Sequence, residues 1–226
     1  MRRRERIGAL AVLACGAMLV SCAPAVDPPG AVDWKTYPAH AHVPAEDVLA
    51  APSGSDHVSR GFDVLEDARN AVTAGSFGGD WVQATPEQWH PFDGNGYGGD
   101  SLLSYYVAPT WQLEIELPRT RWDDIVEAVA RVAETQAMTP RDRSEEVPSE
   151  WMTLGSFHGS VDYLEVVVQD ARLNEEELAL ARSQDLMVAG ITLTYGGTTV
   201  RDADREEFAR AAAAFEGLER PPATSE

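Results

Sequence analysis

The sequence predicts an α+β fold, a mainly antiparallel sheet with helices packed on one face. Three observations carry that prediction. The segment Trp111–Leu117 alternates apolar and polar side chains, the pattern of a strand with one buried and one wet face. From Thr120 onward, Trp122, Ile125, Val126, Val129 and Ala133 recur at helical spacing. The whole order reads helix, strand or hairpin, helix, strands, helix, which suits a sheet with segregated helices. The strand–helix–strand–strand unit from Trp111 to Gln169 further suggests part of a ferredoxin-like sandwich.

The N-terminus has the layout of a secretory signal over residues 1–21. Arg2, Arg3, Arg4 and Arg6 form a basic cluster offset by Glu5, an uncharged run follows from Ile7 to Val20, and Ser21 supplies a small residue at the cut site. The run is short for a membrane span, which takes about 20 apolar residues. The segment Leu19-Val20-Ser21-Cys22 resembles the bacterial lipobox. That resemblance implies a diacylglycerol on the Cys22 thiol and cleavage before it. The chain would then be held on the extracytoplasmic face of the cell membrane, because each buried methylene contributes about 0.8 kcal/mol. Residues 22–55 carry Pro24, Pro28, Pro29, Pro38, Pro44 and Pro52 and are expected to be an extended tether.

Residues 56–219 are expected to form one domain, and residues 220–226 a disordered tail. A first helix spans Asp56–Thr73, with Val58, Phe62, Leu65, Ala68 and Val72 facing inward and Gly75 as its stop. Phe77–Gly99 reads as a long Gly- and Trp-rich loop with one short strand at Trp81–Ala84. Leu102–Val107 pairs with the strand Trp111–Leu117 or leads into it. Pro118 ends that strand, and Thr120 with Asp123 forms a capping-box pattern at the next helix. Pro140 lies beyond the helix end, and the charged stretch Arg141–Ser149 is a loop. Strands follow at Met152–Phe157 and Tyr163–Gln169. Asn174 opens a short helix over Glu175–Gln184, with a strand there as the alternative. The strand Met187–Tyr195 leads to a turn at Gly196-Gly197. A last helix over Asp202–Leu218 buries Phe208, Ala211, Phe215 and Leu218.

Composition excludes several classes of function. A formal net charge of -19 makes nucleic acid an unsuitable partner, because binding it takes a basic footprint. The same charge repels anionic headgroups, so membrane contact is assigned to the lipid on Cys22. The two cysteines are Cys15, inside the apolar run, and Cys22. The domain behind them therefore has no cysteine nucleophile, zinc ribbon or iron–sulfur ligand. With Lys35 as the sole lysine, neither a phosphate loop nor a Ser-x-x-Lys site can be written. A Gly-x-Ser-x-Gly elbow is also missing.

The remaining motifs have bland readings that outweigh the sharp ones. Asp93-Gly-Asn-Gly-Tyr-Gly-Gly-Asp100 looks like a calcium loop. However, Tyr97 stands where an oxygen ligand belongs and Ser104 where a bidentate Glu belongs, so a surface turn is expected. His40 and His42 could catch zinc or copper, but two ligands do not make a structural site. His57, His90 and His158 fall in no catalytic pattern. Glu114 and Glu116 share a wet strand face, which is the default for such a strand rather than a glycosidase pair. Trp111 and Trp122 are expected in the core. Trp81, Trp89 and Trp151 plug its edge or form a sugar- or peptide-binding platform, and Trp34 lies in the tether.

Alanine is abundant and the basic residues are almost all arginine, a bias that resembles high-GC actinobacterial proteins. The lipobox, the tether and Tyr106-Val-Ala-Pro-Thr-Trp-Gln-Leu-Glu-Ile-Glu-Leu117 with the Trp122 helix resemble small actinobacterial lipoproteins of the LppA-like kind. Those proteins carry cysteines in the folded domain, which this one lacks. The resemblance implies no activity, cofactor or catalytic residue. The expectation is a lipid-anchored, non-enzymatic envelope protein with an envelope protein as partner. The alternative is a lipoprotein binding a small molecule, sugar or metal ion, and a hydrolase of envelope polymers ranks last.

Overall fold

A computed structural model describes residues 32–75, 79–141 and 150–224. The expected signal at 1–21, Cys22 and most of the expected loop at Arg141–Ser149 lie outside the described residues. Within them the fold is α+β. An antiparallel sheet is formed by β1 (Val82–Thr85), β2 (Gln88–Pro91), β3 (Ser104–Val107), β4 (Thr110–Glu114), β5 (Thr139–Pro140), β6 (Met152–His158), β7 (Asp162–Asp170) and β8 (Ala189–Thr199). The helices are α1 (Ala45–Ala50), α2 (Gly54–Ala74), α3 (Trp122–Thr135), α4 (Glu175–Ser183) and α5 (Arg205–Ala212).

The long strand β8 organises the sheet. One edge pairs with β7 along its length, while the other pairs with β4 at residues 190–193 and with β3 at residues 196–199. The main order is β1-β4-β8-β7-β6-β5, with β2 attached to β3. A ferredoxin-like sandwich does not form. Its split unit puts one strand between two parallel strands joined through a helix. Here α3 joins β4 to the short β5, and three strands, β8, β7 and β6, lie between them rather than one.

Gly196 and Gly197 sit inside β8 rather than in a turn. A Cβ on Gly197 would stand 2.7 Å from the Val161 carbonyl oxygen and 2.8 Å from His57 Nε2. These glycines therefore serve close approach rather than chain reversal.

Helices α2 and α3 cover one sheet face. Leu113, Leu164, Val166, Val168, Ile191, Leu193 and Tyr195 meet Leu65, Val72, Trp122, Ile125 and Val129 there. The buried stripe of α2 is His57, Gly61, Val64, Leu65, Ala68 and Val72, and Phe62 is 43% exposed. The expected stripe shares its C-terminal half with this one and is rotated at the N-terminal half. Gly61 causes the rotation: a Cβ there would lie 2.8 Å from the Tyr195 ring, so the bare backbone takes the place of a side chain. At α3 the capping box does not form. Thr120 lies within a 3-10 turn at Arg119–Arg121, and the helix starts at Trp122 without a side-chain cap. The remaining expected strands and the helix over Glu175–Ser183 are present, the latter capped by Asn174.

The body begins well before residue 56. Tyr37, Ala39, Ala45 and Val48 are buried in a second core with Tyr97, Leu103, Val200, Phe208, Ala212 and Phe215. Residues 32–55 are thus part of the fold and not a tether. Their prolines mark corners between buried residues, and Pro44 is the N-cap of α1. The tail is also docked. The Tyr97 hydroxyl donates to the Pro221 carbonyl at 3.3 Å, and the Thr224 amide donates to Gly96 at 2.9 Å. The last helical stretch is split into α5 and a 3-10 turn at Ala213–Phe215, with Leu218 exposed.

Candidate functional site

The second core opens into a pocket of about 780 Å³. Trp34, Tyr37 and Phe215 form its aromatic wall, with Leu49 of α1 and Ala209 and Ala212 of α5 beside them. The volume lies within the ~300–1,000 Å³ typical of small-ligand sites. Trp34 and Phe215 have ring centroids 5.0 Å apart, Trp34 and Tyr37 5.4 Å, and Tyr37 and Phe215 5.1 Å. Tyr97 packs behind them, 5.3 Å from Trp34.

Several local devices hold that wall. Asp33 accepts from the Lys35 amide and caps a 3-10 turn at Trp34–Thr36. The Tyr37 hydroxyl accepts from the Ala45 amide at 2.8 Å, fixing the ring against the start of α1. Burial raises the Tyr37 pKa above 10.0, so the phenol stays neutral. Arg205 of α5 donates to the Leu49 and Ala51 carbonyls, tying α5 to the end of α1.

Asn95 is the anchor of the wall. Its Nδ2 donates to the carbonyls of Trp34, Lys35 and Tyr37 at 3.1, 3.0 and 2.9 Å. Its Oδ1 accepts from the Tyr97 and Gly99 amides at 2.9 and 3.1 Å. Gly94 and Gly96 flank it at φ 64° and 77°, a left-handed region that favours glycine. The Asp93–Asp100 segment is therefore a clamp, and its central Asn points inward to the backbone. Sequence reasoning passed over Asn95 while weighing the aspartates, although an Asn between two glycines was a visible turn signal.

The rim carries Glu46, Glu216, Glu219 and Arg220. Gly217, at φ 73°, turns the chain between the first of these C-terminal residues and the next two.

No family model, curated protein or solved structure matches this chain.

The other sequence candidates lie elsewhere. His40 and His42 have ring centroids 5.3 Å apart, and His40 Nδ1 accepts from the His42 amide. Among the described residues, no three His, Cys, Asp or Glu side chains converge as a metal site would need. The exposed His90 pairs with Gln88 at 3.1 Å. Glu114 is exposed, and Glu116 pairs with Arg172. Trp89 packs on Tyr106 at 5.0 Å and lines a separate, shallower pocket with Val58 and Arg201. Trp111 lies under Arg69, and the buried Trp122 lies under Arg119.

Two polar clusters were not foreseen. On the sheet face away from α2 and α3, Ser156 Oγ lies 3.0 Å from His158 Nε2 and donates to Glu165 at 3.1 Å. Under α2, Asp162 accepts from Tyr195 at 2.9 Å and from Arg60 at 3.1 Å. His57 is fully buried against Tyr106 and Tyr195, and burial lowers its pKa. Burial likewise pushes Tyr106 up to about 12.

Proposed function

We propose that this chain is a lipid-anchored protein of the extracytoplasmic membrane face that acts by binding a small ligand rather than by catalysis. One observation carries the binding reading: the pocket walled by Trp34, Tyr37 and Phe215. It is concave, largely apolar, edged by a few charged groups, and built by a dedicated clamp at Asn95. Those are the features of a ligand seat. The anchor rests on the sequence from Leu19 to Cys22, and no described helix is long and apolar enough to cross a membrane.

A second reading is an accessory module for another envelope protein. It is favoured by the sheet face opposite α2 and α3, where Tyr105, Tyr163, Val167 and Leu154 are half-buried.

The test has two arms. Intact mass of the membrane-extracted protein should show a diacylglycerol on a chain beginning at Cys22, and Cys22→Ala should abolish both the added mass and membrane retention. Thermal-shift screening of small molecules should find stabilising compounds whose effect disappears in Trp34→Ala. An unmodified chain would overturn the anchor. Equal stabilisation of the variant would overturn the assignment of the pocket.

A further inference from the structure

We infer that the Trp34–Phe215 pocket takes a small organic cation, an amine or ammonium group on an apolar body. The inference rests on the pocket being a ligand seat and adds the class of ligand. Two independent features of the pocket agree on it. The first is the aromatic wall, in which the half-buried Trp34 is the most accessible ring and the buried Tyr37 and Phe215 back it, the three at centroid distances of 5.0–5.4 Å. Ring faces attract cations within about 6 Å of their centroids, indole most strongly.

The second feature is the sign of the rim. Glu46 approaches from α1, and Glu216 and Glu219 from the segment after α5. Among the described residues, none of these three carboxylates is held in an ion pair. The one cation on the rim is Arg220, whose Nη1 donates to the Ala41 carbonyl at 3.4 Å. The rim is therefore negative, in a chain of net charge -19 that draws cations toward it. An anionic ligand would meet repulsion on entry.

Three probes with one body and three charges test the inference: 4-phenylbutylamine, 4-phenyl-1-butanol and 4-phenylbutyrate. They are titrated into the full chain by calorimetry at low and high salt. The amine is expected to bind about tenfold tighter than the alcohol at low salt, with the gap narrowing at high salt, and the carboxylate weakest. A Glu46→Gln/Glu216→Gln variant should bring the amine down to the alcohol and leave the alcohol unchanged. Equal binding of all three, or the alcohol tightest, would overturn the cation assignment and leave the ligand seat standing. No binding by any probe would overturn both. Amine binding only after removal of residues 1–31 would show that the chain's own N-terminal segment fills the pocket, which also overturns the inference.

Discussion

Replacing Asn95 with alanine tests the account of the pocket most directly. One amide side chain meets five partners: its two Nδ2 hydrogens are shared among three carbonyls, and its Oδ1 accepts from two amides. A neutral hydrogen bond contributes about 1 kcal/mol net, and a buried group left unpaired costs about 1–3 kcal/mol. Simple addition over four bonds would give about 4 kcal/mol. Bonds sharing one side chain do not add, and the Trp34 and Lys35 carbonyls lie near enough to the surface to recover water. The bonds to Tyr37 and Tyr97 are buried and cannot be replaced in that way. We therefore expect a loss of about 3–4 kcal/mol, a large part of the ~5–15 kcal/mol that holds a domain together. The assay is equilibrium urea unfolding of the full chain. With slopes of about 1–3 kcal/mol per molar, the midpoint should fall by more than about 1 M. Asn95→Asp should fare no better, because it keeps the two accepted bonds but sets a carboxylate against three carbonyls. A midpoint within about 0.3 M of the parent for either variant would refute the clamp.

Other expectations follow from the same contacts. In urea unfolding, removal through residue 43 strips Tyr37 and Ala39 from the second core and should cost more than about 3 kcal/mol. Phe208→Ala, at a fully buried site in that core, should cost about 3–5 kcal/mol and abolish probe binding. Gly197→Ala forces a Cβ toward the Val161 carbonyl and should lower the melting temperature, with a cost of about 1–3 kcal/mol. His57 should make stability depend on pH. Its folded pKa lies below 6.5, so the unfolded chain takes the proton first and stability declines as pH falls through 6.5 toward the folded value. Comparing unfolding midpoints at pH 7.5 and 5.5, His57→Leu should show a smaller difference than the parent.

Periodicity made the sheet legible wherever one face was buried and one wet. The strands around Trp111, Tyr163 and Met187 and the helix from Trp122 all lie close to where their side-chain patterns put them. What periodicity missed has a common cause: side chains without apolar bulk. His57 and Gly61 belong to the buried stripe of α2, but neither scores as hydrophobic, so the N-terminal half of the stripe falls one residue from the expected Val58 and Phe62 while Leu65, Ala68 and Val72 hold. Gly196-Gly197 looked like a turn because the Tyr163 and His57 rings that need the space lie far away in sequence. Composition misled at the N-terminus, where prolines concealed Tyr37, Ala39 and Val48. The pocket was illegible for the same reason, since its wall joins residues about 180 positions apart, from Trp34 to Phe215.

The central place of β8 also governs when the protein can fold. Three strand pairs, β1 with β4, β2 with β3 and β6 with β7, share no boundary until β8 lies between them. That strand ends at Thr199, late in a chain of 226 residues. A ribosome delivering the chain from its N-terminus therefore exposes these pairs before the strand that unites them, with open edges that invite mispairing. The edges of β4 and β7 are covered once residues 189–193 emerge, and the edge of β3 only with residues 196–199.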